Sequence, residues 1–284
     1  MNTLPLIRLG SSVVGRIAPR HTAKFAHKLF TSPRRLPAGN TEQHLAATAA
    51  RFRLQVGWSA LRFGPKGGPR ILCVHGWEGR ASQFGVMATA LARQGYQVIS
   101  IDGPGHGQSP ERQAHAIAFA RAALDADREL GPFEAVVGHS MGAAAITIAL
   151  AWGLRATKAV TLAGPADIAD VIDRFSRFIA LPPAAQDHLK TRLRHHVGVA
   201  TENVSLLALA RELHLPVLLI HDQDDAEVPV DDARRLAKAW SNVSYIETEG
   251  LGHGKVLYGP GVVDRIVTFV GAAQDTSRHD DEGA

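Results

Sequence analysis

The chain of 284 residues has a single cysteine, Cys73. An intramolecular disulfide is therefore excluded, and this cysteine usage fits a reducing cytoplasm. No apolar run reaches the roughly 18–20 residues that a membrane-spanning helix needs. Arg8 and Arg16 interrupt what would have to be the continuous apolar core of a secretory signal. Basic residues are not interleaved with aromatics and no nucleic-acid-binding module is recognisable, so no nucleic-acid partner is expected. Acid is missing from one end. Residues 1–41 carry Arg8, Arg16, Arg20, Lys24, Lys28, Arg34 and Arg35 but no Asp or Glu. Residues 1–50 read as a basic helical arm lying on the domain with its charges in water. The same stretch admits weak contact with an anionic membrane surface, or use as a transit segment.

What is present is a globular pattern. Hydrophobic residues make up 45% and charged residues 20% of the chain, which suits a soluble domain. Loose alternation over Arg51–Phe63 predicts early antiparallel strands. Short apolar runs then recur at Ile71–Val74, Tyr96–Ile101, Ala135–Val137, Ala159–Ala163, Pro216–Ile220 and Ser244–Glu249. Between them lie helix-spaced segments: Ser82–Gln94, Gln113–Leu130, Gly142–Trp152, Asp231–Trp240 and Val262–Val270. This alternation predicts an α/β fold, a mostly parallel central sheet flanked by helices. The core is expected over 51–164 and 215–272, with a small helical cap inserted at 165–214 and broken at Pro182-Pro183. A polar, acidic tail over 273–284 is expected to be disordered.

Gly138-His139-Ser140-Met141-Gly142 matches G-x-S-x-G and falls between a predicted strand and a predicted helix. A serine there sits on a sharp turn with its hydroxyl beyond the sheet, and the glycines keep the turn from clashing. The helix N-terminus also favours developing negative charge. Such a hydroxyl needs a base. Where a serine elbow works with an acid and a histidine on this strand–helix alternation, the chain order is serine, acid, histidine. Seven histidines follow Ser140 by more than a helix. His188, His195, His196 and His214 fall in the cap or its exit, His221 precedes the acidic loop, and His279 sits in the tail. His253, in Gly250-Leu251-Gly252-His253-Gly254, remains as the base. For the acid, Asp222, Asp224 and Asp225 compete. They lack the spacing and the twelfth-position Glu of a calcium loop, so no metal is expected.

Asp102-Gly103-Pro104-Gly105-His106-Gly107 has no following Lys-Ser/Thr, which argues against a phosphate loop. Its glycines are expected to form a tight loop bordering the pocket. Taken with Val74-His75-Gly76-Trp77, the serine motif and Gly252-His253, the chain resembles the α/β-hydrolase superfamily in its single-domain esterase and lipase-like branch. The resemblance places the triad acid four residues before a Val-Pro proline, which is Asp225 before Pro229, leaving Asp222 and Asp224 to cap the turn or face solvent. It also assigns the oxyanion hole to the backbone N–H groups of Trp77 and Met141, with His75 supporting the loop.

The implied reaction is two-step acyl transfer on a small-molecule substrate without a cofactor. A carboxylic ester ranks first, a thioester second and the carbon–carbon bond of a dienoate third. A binding protein on the same scaffold is the rival of another class. In the cap, Ile168, Val171, Ile172, Phe175, Phe178, Ile179 and Leu181 recur at helical spacings. That stripe must bury against the body of the domain or against a ligand, and Phe175 is the candidate substrate contact.

Overall fold

The computed structural model describes residues 3–198 and 204–272; the expected acidic tail lies outside the described residues. Helices α1 (Leu4–Ile17), α2 (Pro19–Thr31) and α3 (Asn40–Ala47) come first, followed by the short strands β1 (Ala50–Arg53) and β2 (Ser59–Phe63). Strands and helices then alternate: β3 (Arg70–Val74), α4 (Gly85–Arg93), β4 (Gln97–Ile101), α5 (Ala116–Leu130), β5 (Phe133–His139), α6 (Met141–Ala151) and β6 (Ala156–Leu162). Helices α7 (Ile168–Phe178), α8 (Pro183–Val197) and α9 (Leu206–Glu212) interrupt. The alternation resumes with β7 (Val217–Asp222), α10 (Val230–Ala239), β8 (Val243–Thr248), the short α11 (Gly252–Lys255) and α12 (Pro260–Gly271).

The eight strands form one sheet in the order β1-β2-β4-β3-β5-β6-β7-β8. Strands β3 to β8 are parallel, and β1 and β2 add an antiparallel edge. Alternating residues feed opposite faces, as the period of two requires. Leu72, Val74, Ile99 and Ile101 pack in the core beneath α5 and α6. Ile71, Cys73 and Val98 pack in a second core beneath α4 and α12. Helix α6 is buried almost all round because its sequence is apolar all round. From β3 the chain moves outward to β4, then crosses back to β5 on the other side. The loops after β3 and β5 therefore flank the switch point, where open α/β sheets bind ligands.

The inserted segment divides. Pro183 opens α8 at the predicted break. Helix α9 packs on α6 and α10, and Leu206 and Ala210 belong to the main core. The cap proper is α7 and α8, and it is completed from far away in sequence. Ala23 and Ala26 of α2 share an apolar cluster with Ile172, Ile179, Leu181, Ala185, Leu189 and Leu193. Helix α1 approaches just as closely: a Cβ at Gly15 would lie 2.7 Å from the Pro182 ring. The N-terminal arm is therefore a third helical layer of the cap. The apolar stripe of α7 has a neighbour that its local pattern does not reveal.

Candidate functional site

Strand β5 ends in a turn that only particular residues can build. Ser140 has φ 54° and ψ −120°, a strained conformation for a residue with a Cβ. Its N–H donates to the Leu162 carbonyl at 2.8 Å, and its carbonyl accepts from the Ala143 N–H at 2.9 Å. A Cβ at Gly142 would lie 2.0 Å from the Val74 carbonyl oxygen, and one at Gly138 would lie 2.5 Å from the Gly142 carbonyl oxygen. The two glycines let α6 start directly beneath the sheet end. A Cβ at Gly76 would lie 2.8 Å from the Ser140 Cβ, so the loop after β3 passes against the serine. Among the described residues the N–H groups of Trp77 and Met141 have no protein acceptor, and both residues border the cavity that contains Ser140.

The histidine and the acids come from the ends of β7 and β8. His253 Nδ1 donates to Asp225 Oδ2 at 2.7 Å. Asp225 Oδ1 accepts from the N–H groups of Glu227 (2.8 Å) and Val228 (2.9 Å). The carboxylate is buried, and burial alone would raise its pKa. Hydrogen bonds from His221, His253 and Val228 outweigh burial and hold it well below the usual carboxylate range. On His253, burial pulls the pKa down, but the Asp225 hydrogen bond and charge prevail and the net shift is upward. The strands carrying the two candidate residues are also tied. His139, next to Ser140, donates from Nε2 to the His253 carbonyl at 2.8 Å. Burial, then the neighbouring His253, lowers the His139 pKa to about 4 and keeps it neutral.

The other two aspartates hold the histidine loop. Asp222 is fully buried. It accepts from the N–H groups of Gly252 (2.9 Å), Leu251 (3.0 Å) and Asp224 (3.0 Å) and from the Thr248 hydroxyl (2.7 Å). Asp224 accepts from the Gly250 N–H at 2.9 Å. Gly250 and Gly252 have φ of +77° and +60°, which the loop needs in order to turn back over Asp222. Asp222 caps its own turn through the Asp224 N–H, but the expectation that it does no more than this or faces water is corrected, since Leu251 and Gly252 lie about thirty residues away.

The glycine-rich loop after β4 is also corrected. It does not line the cavity beside Ser140; it braces the loop that carries Trp77. The Gly103 N–H donates to His75 Nε2 at 3.0 Å, and the Glu78 N–H donates to His106 Nε2 at 3.0 Å. Asp102 accepts from the Ala81 and Gln108 N–H groups. Burial lowers the His75 pKa to about 3 and also lowers that of His106, so both rings stay neutral acceptors.

The cavity over Ser140 measures about 640 Å³. The cap supplies Ile168, Val171, Ile172, Arg174, Phe175, Phe178, Leu193 and Val197. Phe175 thus reaches both the cavity and, at 4.9 Å between ring centres, Phe30 of the arm. Leu29 and Phe30 of α2, His115 at the start of α5, and Glu227 complete features that sequence reasoning missed. The signal that could have found the arm's packing against the cap is the run of small residues Ser11, Gly15, Thr22, Ala23 and Ala26, all buried. Small side chains on one helix face mark close packing. Among the described residues no cluster of three or more His, Cys, Asp or Glu could hold a metal ion.

A model of the alpha/beta hydrolase family matches residues 71–263, well over half of the chain. The chain belongs to the alpha/beta hydrolase family. A serine hydrolase-like protein from Danio rerio is 32% identical over 120 residues, covering 38% of this chain and 36% of the relative. The match thus spans only about a third of that relative's length. Among solved structures, an esterase from Pyrococcus furiosus superposes with a TM-score of 0.63 at 18% identity, covering 84% of this hydrolase and 98% of the esterase. A thioesterase domain from the curacin biosynthetic pathway superposes with a TM-score of 0.58 at 16% identity, covering 78% and 99%. At these identities the two structures establish the shared fold. Among the described residues, no helix of this hydrolase is long and apolar enough to cross a membrane.

Proposed function

We propose that this hydrolase cleaves carboxylic esters of apolar acyl groups through an acyl-enzyme on Ser140. The observation that carries the reading is the 2.7 Å hydrogen bond from His253 Nδ1 to Asp225, with the His253 backbone held by His139, the neighbour of a serine at φ 54°. The bond fixes the tautomer, so Nε2 of His253 carries the lone pair that takes the serine proton. Ser140 Oγ attacks the carbonyl carbon, and the N–H groups of Trp77 and Met141 hold the oxyanion. Losing one such donor typically costs about 10²–10³ in rate. His253 then returns the proton to the leaving alcohol, and water releases the acid by the same route. The cavity favours an apolar acyl chain because Ile168, Val171, Ile172 and Phe175 face it.

Labelling with a fluorophosphonate followed by peptide mapping tests the assignment. The adduct is expected on Ser140, and labelling that survives Ser140→Ala on another serine would refute it. A parallel assay of matched oxygen and thiol esters decides between ester and thioester.

A further inference from the structure

Helix α1 is built inside out. The residues it buries are Ser11 and Gly15. Ile7 packs against the cap cluster, but four other large apolar side chains face solvent: Leu6 is 69% exposed, Leu9 63%, Val13 49% and Ile17 82%. Spacings of three, four and four put these four on one helical row. Helix α2 adds Phe25 and Leu29, and the end of α7 adds Phe178, all exposed. Leu29 and Phe178 also line the cavity over Ser140, so the apolar surface is continuous with the cavity. Arg8 fastens α1 to this place by donating to the Phe178 carbonyl at 2.5 Å.

The charge on helices α1 and α2 has one sign. Arg16, Arg20, Lys24 and Lys28 are exposed, and among the described residues none of them pairs with an acid. We propose that the outer face of α1 and α2 docks on an anionic lipid bilayer, with the apolar row in the headgroup boundary and the cations on lipid phosphates. A second copy of the chain fits poorly, because a two-fold contact through this face would set basic arm against basic arm. A 14-residue helix is about 21 Å long and cannot span a hydrocarbon core of about 30 Å, so α1 lies on the surface. Docking brings the cavity mouth to the lipid. It stands on the arm alone and does not require Ser140 to be the nucleophile.

The test is co-flotation of the full-length protein with phosphatidylcholine vesicles, with and without phosphatidylglycerol, at low and high salt. The protein is expected to float with anionic vesicles only and to be released by salt. Arg16→Gln/Arg20→Gln/Lys24→Gln/Lys28→Gln is expected to lose roughly fivefold in partitioning per neutralised cation. Leu9→Gln/Val13→Gln/Ile17→Gln keeps good helix formers in place. It is expected to stay in solution while hydrolysing a short soluble ester at the wild-type rate. Ser140→Ala is expected to float like wild type, which separates docking from the chemistry. Equal flotation on neutral vesicles, no flotation at all, or full flotation by the Leu9→Gln/Val13→Gln/Ile17→Gln variant would overturn the proposal. So would a dimer in sedimentation that this variant dissociates, since the face would then belong to a second copy.

Discussion

The sheet end and the cap solve opposite problems. At the sheet end, buried polar groups are fixed by hydrogen bonds: four partners on Asp222, two backbone N–H groups and two imidazoles on Asp225, and a histidine brace on each side of the Trp77 loop. The cap is held mainly by apolar contact among α2, α7 and α8, with few polar ties. Hydrogen bonds have direction, and a buried group left without one is costly, so the sheet end has one geometry. Apolar contact is proportional to area and tolerates rearrangement. Under the proposed function, the sheet end sets the chemistry and the cap sets the choice of substrate.

The largest expected effects break the sheet end. Asp225→Asn should lower kcat by on the order of 10²–10⁴, because the imidazole loses the acceptor that fixes its tautomer. Asp224→Asn should cost far less, as it removes one loop contact at an exposed N–H. Asp222→Asn should act through stability, leaving unsatisfied a buried cluster of donors. Thermal melts beside kinetics on the three variants separate these roles. A normal kcat for Asp225→Asn would break the assignment of the acid.

The pH profile sharpens the same point. In the proposed mechanism His253 acts as base only when neutral, and burial pulls its pKa down while Asp225 raises it above the ordinary 6.5. The acid limb of kcat/KM should therefore lie above pH 6.5 and fall about tenfold per pH unit below it. In Asp225→Asn the hydrogen bond and charge of Asp225 are gone, leaving burial against the smaller raising influence of the Glu227 charge, so the limb should move to lower pH. A limb unmoved by that substitution would assign it to another group.

A smaller effect belongs to the joint between arm, cap and body. His27 of α2 and His115 at the start of α5 each pack edge-on against His196 of α8. Burial first, and neighbouring cations second, lower both from 6.5 to about 4. A folded pKa below the unfolded one means that the unfolded chain binds more protons in that window. Stability from keeping these rings neutral is complete above pH 6.5 and is lost as pH falls towards 4. Thermal melts across that range should show a shallower decline for His27→Gln/His115→Gln than for wild type.

The two regions also differ in how far their sequences disclose them. The serine elbow is legible because its steric demands are local: Gly138 and Gly142 lie within two residues of Ser140 and make the contacts that forbid a Cβ. The spacing from Asp225 to Val228-Pro229 has a physical reason too. The N–H groups of Glu227 and Val228 close on Oδ1 and leave Oδ2 for His253. The role of Asp222 was hidden because its partners at Thr248, Leu251 and Gly252 are brought to it only by pairing of β7 with β8. The arm was hidden for the same kind of reason. Its basic residues are exposed, but nothing near them in sequence tells that its small residues meet a cap more than 140 residues away. The stripe on α7 reads as amphipathic, but no local pattern tells that Ile179 packs in the cluster of Ala23 and Ala26, that Val171 faces the cavity, and that Ile172 and Phe175 reach both.

The division of labour is tested most directly by one matched measurement: kcat/KM on p-nitrophenyl acetate, butyrate, hexanoate and octanoate for wild type, Asp225→Asn and Phe175→Ala. Each methylene buried in the transition state should gain about 0.8 kcal/mol, or nearly fourfold. Wild type should rise from acetate to hexanoate. Asp225→Asn should fall by the same factor at every length and keep that slope, while Phe175→Ala should flatten it and leave acetate nearly unchanged. A slope altered by Asp225→Asn, or a Phe175→Ala loss equal on acetate and hexanoate, would contradict the account.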